Sequence, residues 1–188
     1  EQELSLDAGA IKTYVLIEQL EAAFQLMEIR AVLGGRFVGF NTGRWDYINS
    51  VSDAMAGDPA FANPNIQAVT MTYGYMRHYE DRVRRAVNTP DEAGGFALWQ
   101  GGMEPNIPVG SESGVEAGMA RAVAGADREQ QAGASGKWVA HWKMVHIARP
   151  VWEHAEADNQ MGRDFPPLTY TAEDAANLTQ LEDGLRTV

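Results

Sequence analysis

Two carboxylates, Glu18 and Asp46, stand where strand-like runs give out. One closes Val15-Leu16-Ile17-Glu18, and the other ends Phe40-Asn41-Thr42-Gly43-Arg44-Trp45-Asp46. Carboxylate oxygens are hard ligands, and magnesium takes one or two of them while filling its other positions with water and substrate. In α/β proteins the carboxyl ends of strands are where ligands bind. The pair therefore predicts a Mg2+ site with Glu18 and Asp46 as its protein ligands. Gly43, Arg44 and Trp45 lie where a helix would begin, and the first N–H groups of a helix hold anions. Glycine at 43 would let the backbone approach a ligand closely. Substrate contacts are thus expected at Glu18, Gly43, Arg44, Trp45 and Asp46. An ion-pair role for Arg44 and a packing role for Trp45 are the competing readings.

The elements that must position these residues follow from periodicity. Thr13 to Ile17 is β-branched and aliphatic, as in a buried strand. Apolar residues from Leu20 to Val32 recur at helical spacing, and Gly34-Gly35 follows as a stop. Phe37 to Phe40 reads as a second strand and Trp45 to Met55 as a helix, broken at Gly57-Asp58-Pro59. After a loop at 61–66 come a short strand at Ala68 to Met71 and a helix from Tyr73 to Val87. The arginines of that helix (Arg77, Arg82, Arg84, Arg85) are expected on a solvated face laced with Glu80 and Asp81. Phe96 to Trp99 reads as a strand running into a loop from Gly101 to Pro108. An Ala-rich helix from Glu112 to Gln131 is stopped by Gly133, and Trp138 to His141 is a further strand. A helix near Met144 is expected to be interrupted at Pro150, with a loop to Pro167. A last helix, Thr171 to Leu181, opens on a capping box with Asp174. Strands alternating with helices predict parallel pairing. Four or five strands make half of a (β/α)8 barrel or a small open sheet, and periodicity does not choose between them.

Composition bounds the partners. The 188 residues carry a net charge of −11, which repels nucleic acid and anionic membrane at long range. No apolar run approaches the length of a membrane span and no signal peptide is visible. The absence of cysteine excludes disulfides and thiolate chemistry and fits a cytoplasmic setting. The chain opens on Glu1 and closes on Val188, which reads as part of something longer.

The motifs resemble the A-type malate synthases. The resemblance is carried by Val15-Leu16-Ile17-Glu18, Ala22-Ala23-Phe24-Gln25 and Gly39-Phe40-Asn41-Thr42-Gly43-Arg44-Trp45-Asp46-Tyr47-Ile48. Gln67 to Met71, Gly101-Gly102-Met103, Ile107-Pro108 and Trp138-Val139-Ala140-His141 continue it in family order. It implies roughly half of a TIM barrel, with its core at 11–157 and a loop and terminal helix at 158–188. It also implies Mg2+ on Glu18 and Asp46, and glyoxylate and acetyl-CoA as substrates. The family condenses the two and hydrolyses malyl-CoA to malate and CoA. Its catalytic Arg is expected upstream of Glu1 and its Asp base beyond Val188, so no catalytic residue is assigned within the chain. CoA contacts are expected at Met103, Pro108, His141 and Trp142. The chain departs from the family here, with His141-Trp142-Lys143 where many members carry His-Pro-Gly. Two alternatives stand beside this reading: a magnesium-dependent CoA-ester lyase of the citrate lyase β-chain or malyl-CoA lyase type, and a metal-binding half-barrel without turnover. An open half-barrel is also expected to self-associate or to take a partner that supplies the remaining strands.

Overall fold

The computed structural model describes residues 1–59, 61, 63, 69–154 and 158–166. Four strands form one parallel sheet: β1 (Thr13–Ile17), β2 (Phe37–Thr42), β3 (Leu98–Glu104) and β4 (Gly136–Val139). Their spatial order is β1-β2-β3-β4, the same as their chain order. A doubly wound sheet reverses at a switch point. This one advances one strand at a time, as the wall of a barrel does.

The connections are helical. Between β1 and β2 a 3-10 turn at Ala22–Phe24 precedes α1 (Leu26–Leu33). The helix expected from Leu20 is thus split, with Gln25 joining its two pieces. After β2 come α2 (Arg44–Ala54) and α3 (Gly74–Val87), after β3 comes α4 (Glu112–Ala132), and after β4 comes α5 (Val145–Glu153). Pro150 lies inside α5 and does not interrupt it, because a proline forfeits only one hydrogen bond of so short a helix. Val69 and Thr70 are not in a strand, and Ala68 lies outside the described residues, as does the expected helix at Thr171 to Leu181.

Alternation along the strands sorts the two faces of the sheet. Ile17, Phe40 and Trp99 are fully buried and belong to one apolar core with Met76, Tyr79 and Val83 of α3. Burial of each such side chain contributes about 1.5–3 kcal/mol. Next to Phe40 and Trp99 in sequence, Asn41 and Gln100 turn to the other face, where the Asn41 amide donates to Gln100 Oε1 (3.0 Å) and to the Gly101 carbonyl (2.8 Å).

β3 differs most from the sequence expectation. It begins two residues later than expected and runs through Gly101-Gly102, expected as loop, to Glu104. Position 101 is glycine because α4 packs closely, and a side chain at Gly102 would press on the Thr42 carbonyl of β2 at 3.2 Å. A Cβ at Gly101 would lie 2.4 Å from Glu129 Oε2. The pairing with β4 slips between Gly101 and Met103, so that Gly101 faces Lys137 and Met103 faces Trp138. Such a bulge leaves one backbone N–H out of the ladder. Glu129 Oε1 accepts it from Gly102 at 3.1 Å.

Candidate metal centre

Ile17 and Thr42 are register partners at the carboxyl ends of β1 and β2, so Glu18 and Gly43 stand abreast. Gly43 is the N-cap of α2, and Asp46 lies in the first turn of that helix. A Cβ at Gly43 would sit 2.7 Å from Glu18 Cβ and 2.8 Å from Glu18 Oε2. The position lacks a side chain because the Glu18 carboxylate needs that space.

A tyrosine fixes both strand ends. Gly43 N–H donates to Ile17 O (3.2 Å) and to Tyr79 Oη (2.9 Å), and the Tyr79 hydroxyl donates to Ile17 O. The Tyr79 ring is buried and stacked on Tyr47 with centroids 3.8 Å apart. Burial pushes this phenol well above its ordinary value, so it remains a neutral donor. Sequence reading placed Tyr79 in a helix without a role. An apolar helix face carrying a tyrosine was the available signal. The Gly43 amide is therefore engaged internally. The N–H groups of Arg44, Trp45 and Asp46 open the helix, and no side chain caps them.

The two acids meet. Loss of water, then the charge of Asp46 and a hydrogen bond with it, push the Glu18 carboxyl above its ordinary value. Among the described residues neither acid has a Lys or Arg within ion-pair distance. No group of three or more metal-ligating side chains occurs among the described residues. The donor set is two carboxylates that line one cleft at adjoining strand ends, with no Lys or Arg paired to either among the described residues. That fits a magnesium ion completed by water and substrate and does not fit a cation caged by protein alone.

A cleft of about 490 Å³ opens around the pair and is lined by Glu18, Gly43, Arg44, Trp45, Asp46 and Met103. Six of the nine residues expected to contact metal, glyoxylate or CoA thus come together. Pro108, His141 and Trp142 are not among its lining residues. His141 accepts the Lys143 N–H on Nδ1 at 3.2 Å, capping a 3-10 turn at Trp142–Met144, and its ring stacks on that of Trp142. Trp142 is 67% exposed.

A charge cluster in the wall of the cleft was not foreseen. Lys137 Nζ donates to Glu129 Oε2 at 2.8 Å and lies 3.7 Å from Glu104 Oε2. Arg128 forms a two-pronged pair with Glu80, at 2.8 and 2.9 Å. The solvated acidic lacing expected on α3 is instead buried. Glu80 turns inward to Arg128 on α4, and Asp81 is paired with Arg84 and Arg85. Desolvation raises the Glu129 carboxyl despite Lys137 beside it. A charged residue in each of two strands (Glu104 and Lys137) was the sequence signal for this cluster.

A parallel barrel wall with two acids converging at its carboxyl rim defines a class of α/β barrel proteins with a strand-end carboxylate site. Residues 1–177 match the family model described as malate synthase, TIM barrel domain, and the chain belongs to that family. It is 37% identical over its whole length to the bifunctional glyoxylate cycle protein of Caenorhabditis elegans, covering 19% of that protein. It is 33% identical to the malate synthase of Myxococcus xanthus over 98% of this chain and 34% of the other. The chain thus spans about a third or less of the length of these relatives. Among solved structures, a citrate lyase from Burkholderia xenovorans matches with a TM-score of 0.56 and 15% identity, over 82% of this chain and 42% of that one. The citrate lyase β subunit of M. tuberculosis, complexed with oxaloacetate and magnesium, matches with a TM-score of 0.50 and 16% identity, over 80% and 55%. At such identity these two share the fold, a partial α/β barrel.

Proposed function

We propose that this chain supplies the metal-binding part of a malate synthase active site, with Glu18 and Asp46 holding Mg2+ and the cleft beside them taking glyoxylate and the acetyl end of acetyl-CoA. The observation that carries the reading is a pair of carboxylates lining one cleft at adjoining strand ends, which no cationic side chain among the described residues neutralises. Bound there, magnesium supplies a Lewis acid that polarises the glyoxylate aldehyde. The chain's own residues do the rest of the positioning. The uncapped N–H groups at the start of α2 face developing or resident negative charge. Gly43 leaves room for Glu18 beside the helix start. Tyr79 keeps the two strand ends in register from behind. Met103 presents an apolar side chain to the thioester end of the cleft.

In the overall reaction the acetyl methyl carbon loses a proton and bonds to the aldehyde carbon. Water then cleaves the thioester to give malate and CoA. Removing the proton needs a base, and the thioester oxygen needs a cation. The family resemblance assigns neither role to a residue of this chain, so metal binding is the step assigned to residues 1–188.

Titration of the chain with MgCl2 in a calorimeter tests the assignment. Binding that disappears in both Asp46→Asn and Glu18→Gln supports it, and wild-type protein that takes up no Mg2+ refutes it. In a protein that carries the complete barrel, free CoA released from acetyl-CoA and glyoxylate marks a synthase. Accumulation of the thioester marks the lyase chemistry instead.

A further inference from the structure

One stretch of the cleft lining is continuous chain. Gly102, Met103, Glu104, Pro105 and Asn106 all line it, from the bulge in β3 to just past the end of that strand. Carboxylates pin both ends of the run. Glu129 of α4 accepts the Gly102 N–H at 3.1 Å. Glu104 folds back within the run, and its Oε1 accepts the Asn106 backbone N–H at 3.0 Å and the Asn106 side-chain amide. One ammonium serves both acids. Lys137 of β4 donates to Glu129 at 2.8 Å and lies 3.7 Å from Glu104. All three side chains are less than a tenth exposed. Arg128 is the other cation near Glu129, at 3.8 Å, and Glu80 of α3 already holds its guanidinium in two-pronged fashion.

A buried charge persists only where it is paired, and removing one partner strands the other. Without the Lys137 ammonium, Glu104 and Glu129 would lose the cation they share. One of them would then have to take up a proton or turn out toward water. Turning out releases the Gly102 N–H or the Asn106 amide, and with it one end of the run. The strand ladder does not replace these pins, because the bulge interrupts the pairing of β3 with β4 between Gly101 and Met103. We infer that Lys137 is a positioning residue of the cleft, whose ammonium, shared by Glu129 and Glu104, holds residues 102–106 in the shape that sets Met103 against the thioester end of the ligand. This inference rests on the proposed acetyl-CoA end of the cleft and adds the residue that shapes its wall. Lys137 itself touches no reacting atom.

The test compares wild type, Lys137→Met and Lys137→Arg by amide hydrogen exchange at Gly102 and Asn106, with Mg2+ and acetyl-CoA affinities measured by calorimetry on the same proteins. In Lys137→Met, protection at both amides is expected to fall about tenfold, the scale of one lost hydrogen bond, and acetyl-CoA affinity at saturating Mg2+ to fall with it. Mg2+ affinity is expected to stay at the wild-type value, because Glu18 and Asp46 follow β1 and β2. Lys137→Arg keeps a cation for the two acids and is expected to restore both the protection and the acetyl-CoA affinity. Wild-type protection at Gly102 and Asn106 in Lys137→Met overturns the inference and leaves the metal site standing. Acetyl-CoA affinity that survives the loss of protection overturns it too. So does a loss of protection spread evenly over the whole sheet, which would make Lys137 a general stabiliser. Should Lys137→Met fail to fold, the charge-balanced pair Lys137→Met with Glu129→Gln is read in its place against the same outcomes. Wild-type chain that takes up Mg2+ but not acetyl-CoA overturns the inference alone, and wild-type chain that binds no Mg2+ overturns the proposed function along with it.

Discussion

Glu18 is caught between two demands. Burial and the neighbouring Asp46 both favour its protonated form, while a metal needs it ionised. Protons therefore compete with Mg2+ from above the ordinary carboxylate range. Affinity measured by calorimetry is expected to fall as pH drops through the raised Glu18 value, and replacing Glu18 with Gln removes that dependence along with most of the binding. A lost charged contact worth about 2 kcal/mol corresponds to roughly thirtyfold in affinity. Stability of the metal-free chain runs the opposite way. The folded state holds the Glu18 proton more tightly than the unfolded state, so stability is present below the unfolded value and is lost as pH rises through the folded one. Asp46→Asn is expected to shrink that loss in thermal melts across the same window. Gly43→Ala probes the same geometry without touching a charge. Its φ of −100° is open to any residue, so the new methyl acts only by displacing Glu18. Weakened Mg2+ binding with an unchanged far-ultraviolet spectrum is the expected result. The two acids and the helix start between them were legible from residue types at strand ends. Tyr79 showed only as a tyrosine on an apolar helix face, and its role was hidden because the carbonyl it reaches lies 62 residues away.

At the level of elements, what could be read depended on where the partner lay. β1 and β2 are short apolar runs, and their ends were placed to within two residues because each run stops at a polar residue or a turn. β3 was misjudged because Gly101-Gly102 looks like a turn when viewed alone. Only its neighbours in space explain the pair as a strand feature, since Glu129 of α4 occupies the space of a Gly101 side chain and the Thr42 carbonyl of β2 crowds Gly102. Burial of Glu80 was hidden for the same reason, as its partner Arg128 is 48 residues away. Gly101→Ala tests this account. The added Cβ would lie 2.4 Å from Glu129 Oε2, and Glu129 cannot swing aside without releasing Lys137 and the Gly102 N–H. Overpacking of this kind costs about 1–3 kcal/mol. Urea unfolding is expected to show an unfolding free energy lower by that amount, seen as a lower midpoint, and an unchanged midpoint would mean that the bulge is not clamped by α4.

For the whole molecule, the barrel could be expected from the order of elements and the motifs, but its closure is not within the described residues. Among the described residues β1 and β4 each pair on one side only, so each leaves a row of backbone donors and acceptors without a strand partner there. Tyr14 on β1 and Trp138 on β4 remain 41% and 47% exposed, so apolar surface adjoins both edges. Against association stands the net charge of −11. That repulsion is long-ranged at low salt and is screened within about 8 Å at physiological ionic strength. Edge pairing and apolar contact act at shorter range and survive screening. The isolated 188-residue chain is therefore expected to self-associate, and more strongly as salt rises. Sedimentation velocity across a salt series reads this directly. A folded monomer at every salt concentration would show that the edges are protected within the chain itself, and association that weakens with salt would assign it to charge rather than to the open sheet.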